Sequence, residues 1–194
     1  MPEPPRPGGW GRSVTLARGL ADAPASIRSA AMAIHSNVAG LSDQRVTAML
    51  GGLPPAVGYE VVIKPLRYRR SPHLAAWTEF EARRITLQVP EPFLPFTETV
   101  RYAARRRPGK ALRFSWLSEE VAFSTPRQVL RFLYLHEWMH WYLRERLGRK
   151  GFAETACDRF ALRNYLRRAV GVADAKVALA RGRQARRHDA AGMA

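Results

Sequence analysis

Cysteine is nearly absent. Cys157 is the only one in 194 residues, which excludes an intramolecular disulfide framework and any zinc finger or iron–sulfur site built on cysteines. No apolar run approaches the roughly 18 residues a membrane span needs. The opening Met1-Pro2-Glu3-Pro4-Pro5-Arg6-Pro7-Gly8-Gly9 has no signal-peptide core, so the expectation is a soluble, cytoplasmic protein with no membrane partner. Acidic residues are scarce, 16 against 32 Lys plus Arg, leaving a formal charge of +16 and a sequence pI near 11.3. Lysine is scarce as well, with only Lys64, Lys110, Lys150 and Lys176, so the excess is arginine. Such a chain attracts polyanions, although GC-rich coding gives the same arginine skew with no function attached. Histidine numbers five, and none lies between His140 and His188.

What is present is globular. Apolar residues at 46%, aromatics at 10% and charged residues at 25% exclude a disordered or fibrous chain, and the length predicts one domain with a small flanking lobe. Residues 1–52 read as a Pro- and Gly-rich tail followed by a helical segment, with two or three short helices from Ser13 to Leu50 and a helix start at Leu41-Ser42-Asp43. Gly51-Gly52-Leu53-Pro54-Pro55 breaks the chain. The period then shifts toward two, predicting strands at Tyr59 to Leu66, Ala75 to Glu81 and Arg84 to Val89, with another at Ala111 to Leu117. Ser124-Thr125-Pro126 opens the clearest helix, with Thr125 as N-cap, Pro126 at the first helical position and Gln128 at the capping-box position. It runs to about Leu147, with Gly148 as its stop, and is apolar nearly all round, as a central buried helix is. A second helix, Phe152 to about Arg168, folds back on it as an antiparallel hairpin. Residues 171–194 carry a weaker helix that fades into a basic tail. The expected class is α+β, a small sheet packed on a central helix with an antiparallel return helix.

On the buried helix stands His136-Glu137-Trp138-Met139-His140. Histidines at i and i+4 share one helical face, so both imidazoles reach one metal ion. Glu137, one step around, sits beside the metal without ligating it and accepts a proton from water. The bland alternative is two interior histidines bonded to carbonyls, with Glu137 in solvent. No histidine follows to complete the metzincin extension. On the return helix, Glu154 and Asp158 are four apart on one face. In an antiparallel hairpin Glu154 lies nearer His140 and Asp158 nearer His136, an order that suits Glu154 as third ligand and Asp158 as acceptor for the free ring N–H of His136. The reverse assignment stays open, as does a pair of solvated carboxylates answering Arg149, Lys150 and Arg159.

HExxH followed on the next helix by ExxxD resembles the gluzincin metallopeptidases, and Glu154-Thr-Ala-Cys-Asp158-Arg-Phe-Ala161 is similar to the E-x-x-A-D-x-F-A element of HtpX-type families. The His136-Glu-Trp-Met-His140-Trp141 stretch also resembles the small SprT-like and ImmA/IrrE-like zincins. The likeness covers about Val129 to Leu162. It departs in three ways: no histidine stands where SprT-like proteins place a third ligand, no membrane span matches HtpX, and the spacer from His140 to Glu154 is short. The resemblance implies a zincin-like metallopeptidase domain over residues 53–170. It also implies one Zn2+ per chain on His136, His140 and Glu154, Glu137 as general base, Asp158 as orienter, and a protein or peptide substrate.

Other expectations rest on single features. Tyr165, seven residues beyond Asp158, is a weak candidate to steady an oxyanion, with an ordinary packed tyrosine as the alternative. Ile85, Leu87 and Val89 form either an edge strand that pairs with extended substrate or a core strand without that role. Arg105, Arg106, Arg107, Arg183, Arg186 and Arg187 are candidates for non-specific nucleic-acid contact, with a solvated arginine-rich surface as the equal alternative. Two readings of another class therefore stand beside the peptidase: a catalytically inactive, zinc-stabilised binding module, and a basic nucleic-acid-associated protein.

Overall fold

The computed structural model describes residues 32–107, 113–149, 151 and 153–180. The chain divides into two units, Met1–Ala30 and Ala31–Ala194, and the described residues all belong to the second. Strand β1 (Ile34–Ser36) leads to helix α1 (Asp43–Leu50), then β2 (Glu60–Leu66), β3 (Ala75–Glu79), β4 (Arg84–Pro90), β5 (Phe96–Arg107) and β6 (Arg113–Phe123). Helix α2 (Pro126–Trp141) follows, continued by a π-helical turn (Tyr142–Arg146), then α3 (Glu154–Asn164) and a last helix, α4, over residues 172–180. This is a mixed α+β fold. No helix among the described residues is long and apolar enough to cross a membrane.

Two sheets form. The first has the order β1-β2-β4-β3; β1, β2 and β4 run parallel, and β3 pairs antiparallel with β4 at the edge. Parallel neighbours place Val61 beside Ile85 and Ile63 beside Leu87. All four are fully buried and join the core that also holds Leu130, Leu135, Trp138 and Met139 of α2. The expected alternative of β4 as an edge strand is therefore corrected: β4 lies between two partners, and burial of Ile85, Leu87 and Val89 fixes it there. Among the described residues the edge strands are β1 and β3, and on β3 Ala75, Ala76, Thr78 and Glu79 are only half-buried.

The second sheet is a two-stranded ribbon of β5 and β6. β5 was not anticipated, because Pro90, Pro92 and Pro95 read as the end of strand structure and the arginines after them as a charge run. β6 covers the predicted strand end but continues to Phe123, since pairing with β5 extends from Phe96↔Phe123 upward. A second correction concerns Ser13 to Leu50. Its described part holds one helix, α1, capped by Ser42, whose hydroxyl accepts from the Arg45 amide at 3.3 Å, but Ile34–Ser36 is a strand. Parallel pairing with Val61 to Ile63 decides that conformation, and no local signal in three residues reveals it.

Helix α2 begins as its sequence dictates. Thr125 Oγ1 accepts from the Gln128 amide at 3.3 Å, and the Gln128 side chain accepts from the Thr125 amide at 3.2 Å. The α-helix ends at Trp141 rather than Leu147, and a π turn carries the chain to Gly148, which stops it at φ 62°. The return helix is shorter than expected. Buried Arg131 ties these elements together. Its guanidinium donates to Tyr165 O at 2.9 Å, Met49 O at 3.1 Å, Gly51 O at 3.0 Å and Arg167 O, so one side chain on α2 satisfies carbonyls at the ends of α1 and α3. Gly52 passes close beneath: with φ at 80°, an added Cβ would stand 2.3 Å from Arg168 O.

Candidate metal centre

Helix α2 delivers His136 and His140 to one face, and the short hairpin brings α3 antiparallel across it. His136 Nε2 and His140 Nε2 stand 3.1 Å apart. The two oxygens of Glu154 lie 3.3 Å from the first and 3.4 Å from the second. Ligand atoms bound at about 2.0–2.1 Å to one tetrahedral zinc are separated by roughly 3.3–3.4 Å, so these three side chains already stand at near-ligating spacing. The donor set of two imidazole nitrogens and one carboxylate suits zinc. Asp158 Oδ1 meets His136 Nδ1 at 2.8 Å, which fixes the tautomer and leaves Nε2 to face the cluster. Asp158 thus occupies the orienting place and Glu154 the place between the two rings.

The electrostatics match. Burial opposes a positive charge on His136, yet hydrogen bonds to Asp158 and Glu154 outweigh it and hold the imidazole up to about 10. Carboxylates that attract a proton to that ring attract a cation by the same field. The His136 hydrogen bond in turn holds the Glu154 carboxyl below its usual range.

Glu137 is 5% exposed. Burial pushes its carboxyl above the ordinary carboxylate range, while His136 and the Thr78 hydroxyl act against that shift. Thr78 Oγ1 donates to Glu137 Oε2 at 2.7 Å. Thr78 was missed in the sequence, and no signal marked it: a threonine in an alternating strand is ordinary, and only the packing of β3 against α2 brings it to the carboxylate. A cleft of about 230 Å³ opens here, with Ala76, Trp77, Thr78 and Phe80 on the β3 side and His136, Glu137, His140 and Glu154 on the helical side. The π turn packs against Phe80, one of the residues that line the cleft. Arg144 lies over the Phe80 ring at 4.0 Å, and the Tyr59 hydroxyl donates to Glu145 Oε1 at 3.2 Å. Burial and that carboxylate push the Tyr59 hydroxyl up to about 12.

Tyr165 stands elsewhere. Its ring packs on Phe123 and Phe132 at centroid distances of 5.8 and 5.7 Å, outside the residues lining the cleft, so the ordinary packed tyrosine describes it. Cys157 is fully buried and its thiol is pushed up by that burial. Arg183, Arg186 and Arg187 lie outside the described residues, and Arg105, Arg106 and Arg107 are described only as backbone of β5.

No family model, curated protein or solved structure matches the chain.

Proposed function

We propose that the chain is a zinc-dependent peptidase of zincin-like architecture, acting on protein or peptide substrate. The observation that carries this reading is the convergence of His136, His140 and Glu154 beside a buried carboxylate, Glu137, at an edge strand. His136, His140 and Glu154 would hold the ion. When bound, zinc supplies Lewis acidity, to the scissile carbonyl and to water.

The protein supplies the rest. Glu137 is a general base: its burial brings the carboxyl nearer the working pH than an exposed glutamate, which suits accepting a proton and returning one to the leaving amine. Thr78 pins one oxygen, leaving Oε1 for the proton. Asp158 holds the His136 ring in register. Among the described residues β3 pairs only with β4, and its other side would take an extended peptide as a further strand, with the scissile bond laid across the cleft.

Glu137→Gln tests the reading. The amide keeps the shape and the Thr78 contact but is no base, so hydrolysis of an unfolded protein substrate should fall by at least ~100-fold while bound zinc stays equal to wild type. Equal turnover by the two proteins at equal zinc content would remove the peptidase assignment.

A further inference from the structure

The ribbon of β5 and β6 takes no part in the cleft. It is separate from the four-stranded sheet and is anchored at one end, where Phe96, Val100, Val121 and Phe123 turn one face into the core or against it. Its acidic residues, Glu98, Glu119 and Glu120, belong to that end. From Thr99 to Arg107 of β5 and from Arg113 to Ser118 of β6 there is no acidic residue and there are five basic ones: Arg101, Arg105, Arg106, Arg107 and Arg113. Charge is therefore sorted along the ribbon, and the distal half is cationic.

Between Thr97 and Ala104 and between Trp116 and Ala122 the other face of the ribbon is exposed, and it carries an indole. Trp116 is 54% exposed opposite Ala104, whose small side chain leaves its ring uncovered. Arg101, opposite Ser118, lies on the same face on the anchored side of Trp116, and the register position of Arg106, opposite Phe114, lies on the distal side. An exposed tryptophan flanked by arginine positions joins a flat surface for a base to a field for phosphates. Duplex DNA offers its phosphates to such a field but keeps its bases stacked, out of reach of the indole. We propose that this face of the ribbon is a seat for single-stranded nucleic acid, with Trp116 stacking on a base and the distal arginines neutralising the backbone. The proposal stands apart from the peptidase reading and uses none of its residues.

Fluorescence anisotropy of a labelled oligothymidylate with the full chain tests it. Binding should be present at low salt and weaken steeply as salt rises. Replacing Arg105, Arg106 and Arg107 together by Gln should make the log–log salt slope shallower by about 2, at ~0.7 per phosphate contact. Trp116→Ala should weaken binding by roughly 5- to 100-fold at an unchanged slope, and Trp116→Phe should restore most of it. The melting temperature of each variant reports its fold, and the arginine variant keeps the test decisive should Trp116→Ala fail to fold. Absent binding at low salt, tighter binding to a duplex, indifference to Trp116→Ala in a folded protein, or an unchanged slope in the arginine variant would each overturn the proposal. Equal binding of heparin with no dependence on Trp116 would reduce the ribbon to general polyanion attraction and overturn it too.

Discussion

Asp158 and Glu154 are both carboxylates on one face of α3, and they meet different nitrogens of His136. Asp158 reaches Nδ1 at 2.8 Å, whereas Glu154 spans Nε2 of both histidines. Asp158→Asn should weaken zinc affinity by roughly 10 to 100-fold, as loss of a partner behind a ligand does, while Glu154→Gln should lose more. Competition with a chromogenic chelator measures both; the reverse ranking would exchange ligand and orienter. Arg131 sets a different test. Arg131→Met keeps much of the apolar bulk but strips the donors from carbonyls at the ends of two helices. A loss of about 3 kcal/mol in urea unfolding is expected, since each buried acceptor left unpaired costs about 1–3 kcal/mol. A loss within ~0.5 kcal/mol, the usual surface value, would show that water replaces the guanidinium.

Among the elements, α2 was the most legible because its signals are local: a threonine cap, proline at the first helical position, and glutamine three residues after the cap. Thr125→Ala should cost about 1 kcal/mol and leave the zinc site unchanged, which thermal melting and metal analysis check together. The three strands of the middle region were legible for a similar reason, since alternation in Arg84 to Val89 marks a pleated face. What stayed hidden depends on partners distant in sequence. β1 exists because Ile34 to Ser36 pair with Val61 to Ile63, and β5 because Phe96 onward pairs with β6. The place of β4 in the sheet was hidden for the same reason: an alternating strand reads the same at an edge or inside until its neighbours are known. The convergence of His136 and His140 was legible because i, i+4 spacing is itself geometry. Thr78 was not, because its meeting with Glu137 joins residues 59 apart.

At the scale of the whole molecule, the sheet order β1-β2-β4-β3 leaves the one antiparallel strand at the edge nearest the histidines, so sheet, cleft and helix α2 form one arrangement. Acidic residues are few in a chain of formal charge +16, yet Glu137, Glu154 and Asp158 gather at this point, where a cation would repay the mutual repulsion of three carboxylates. X-ray absorption at the zinc edge on the purified protein tests that arrangement most directly. One zinc per chain with two imidazole ligands and one carboxylate is the expected result, and substitution of either His136 or His140 by Ala should abolish it. A chain that takes up no stoichiometric zinc, or whose zinc lacks imidazole ligands, would contradict the metal centre and the peptidase reading built on it.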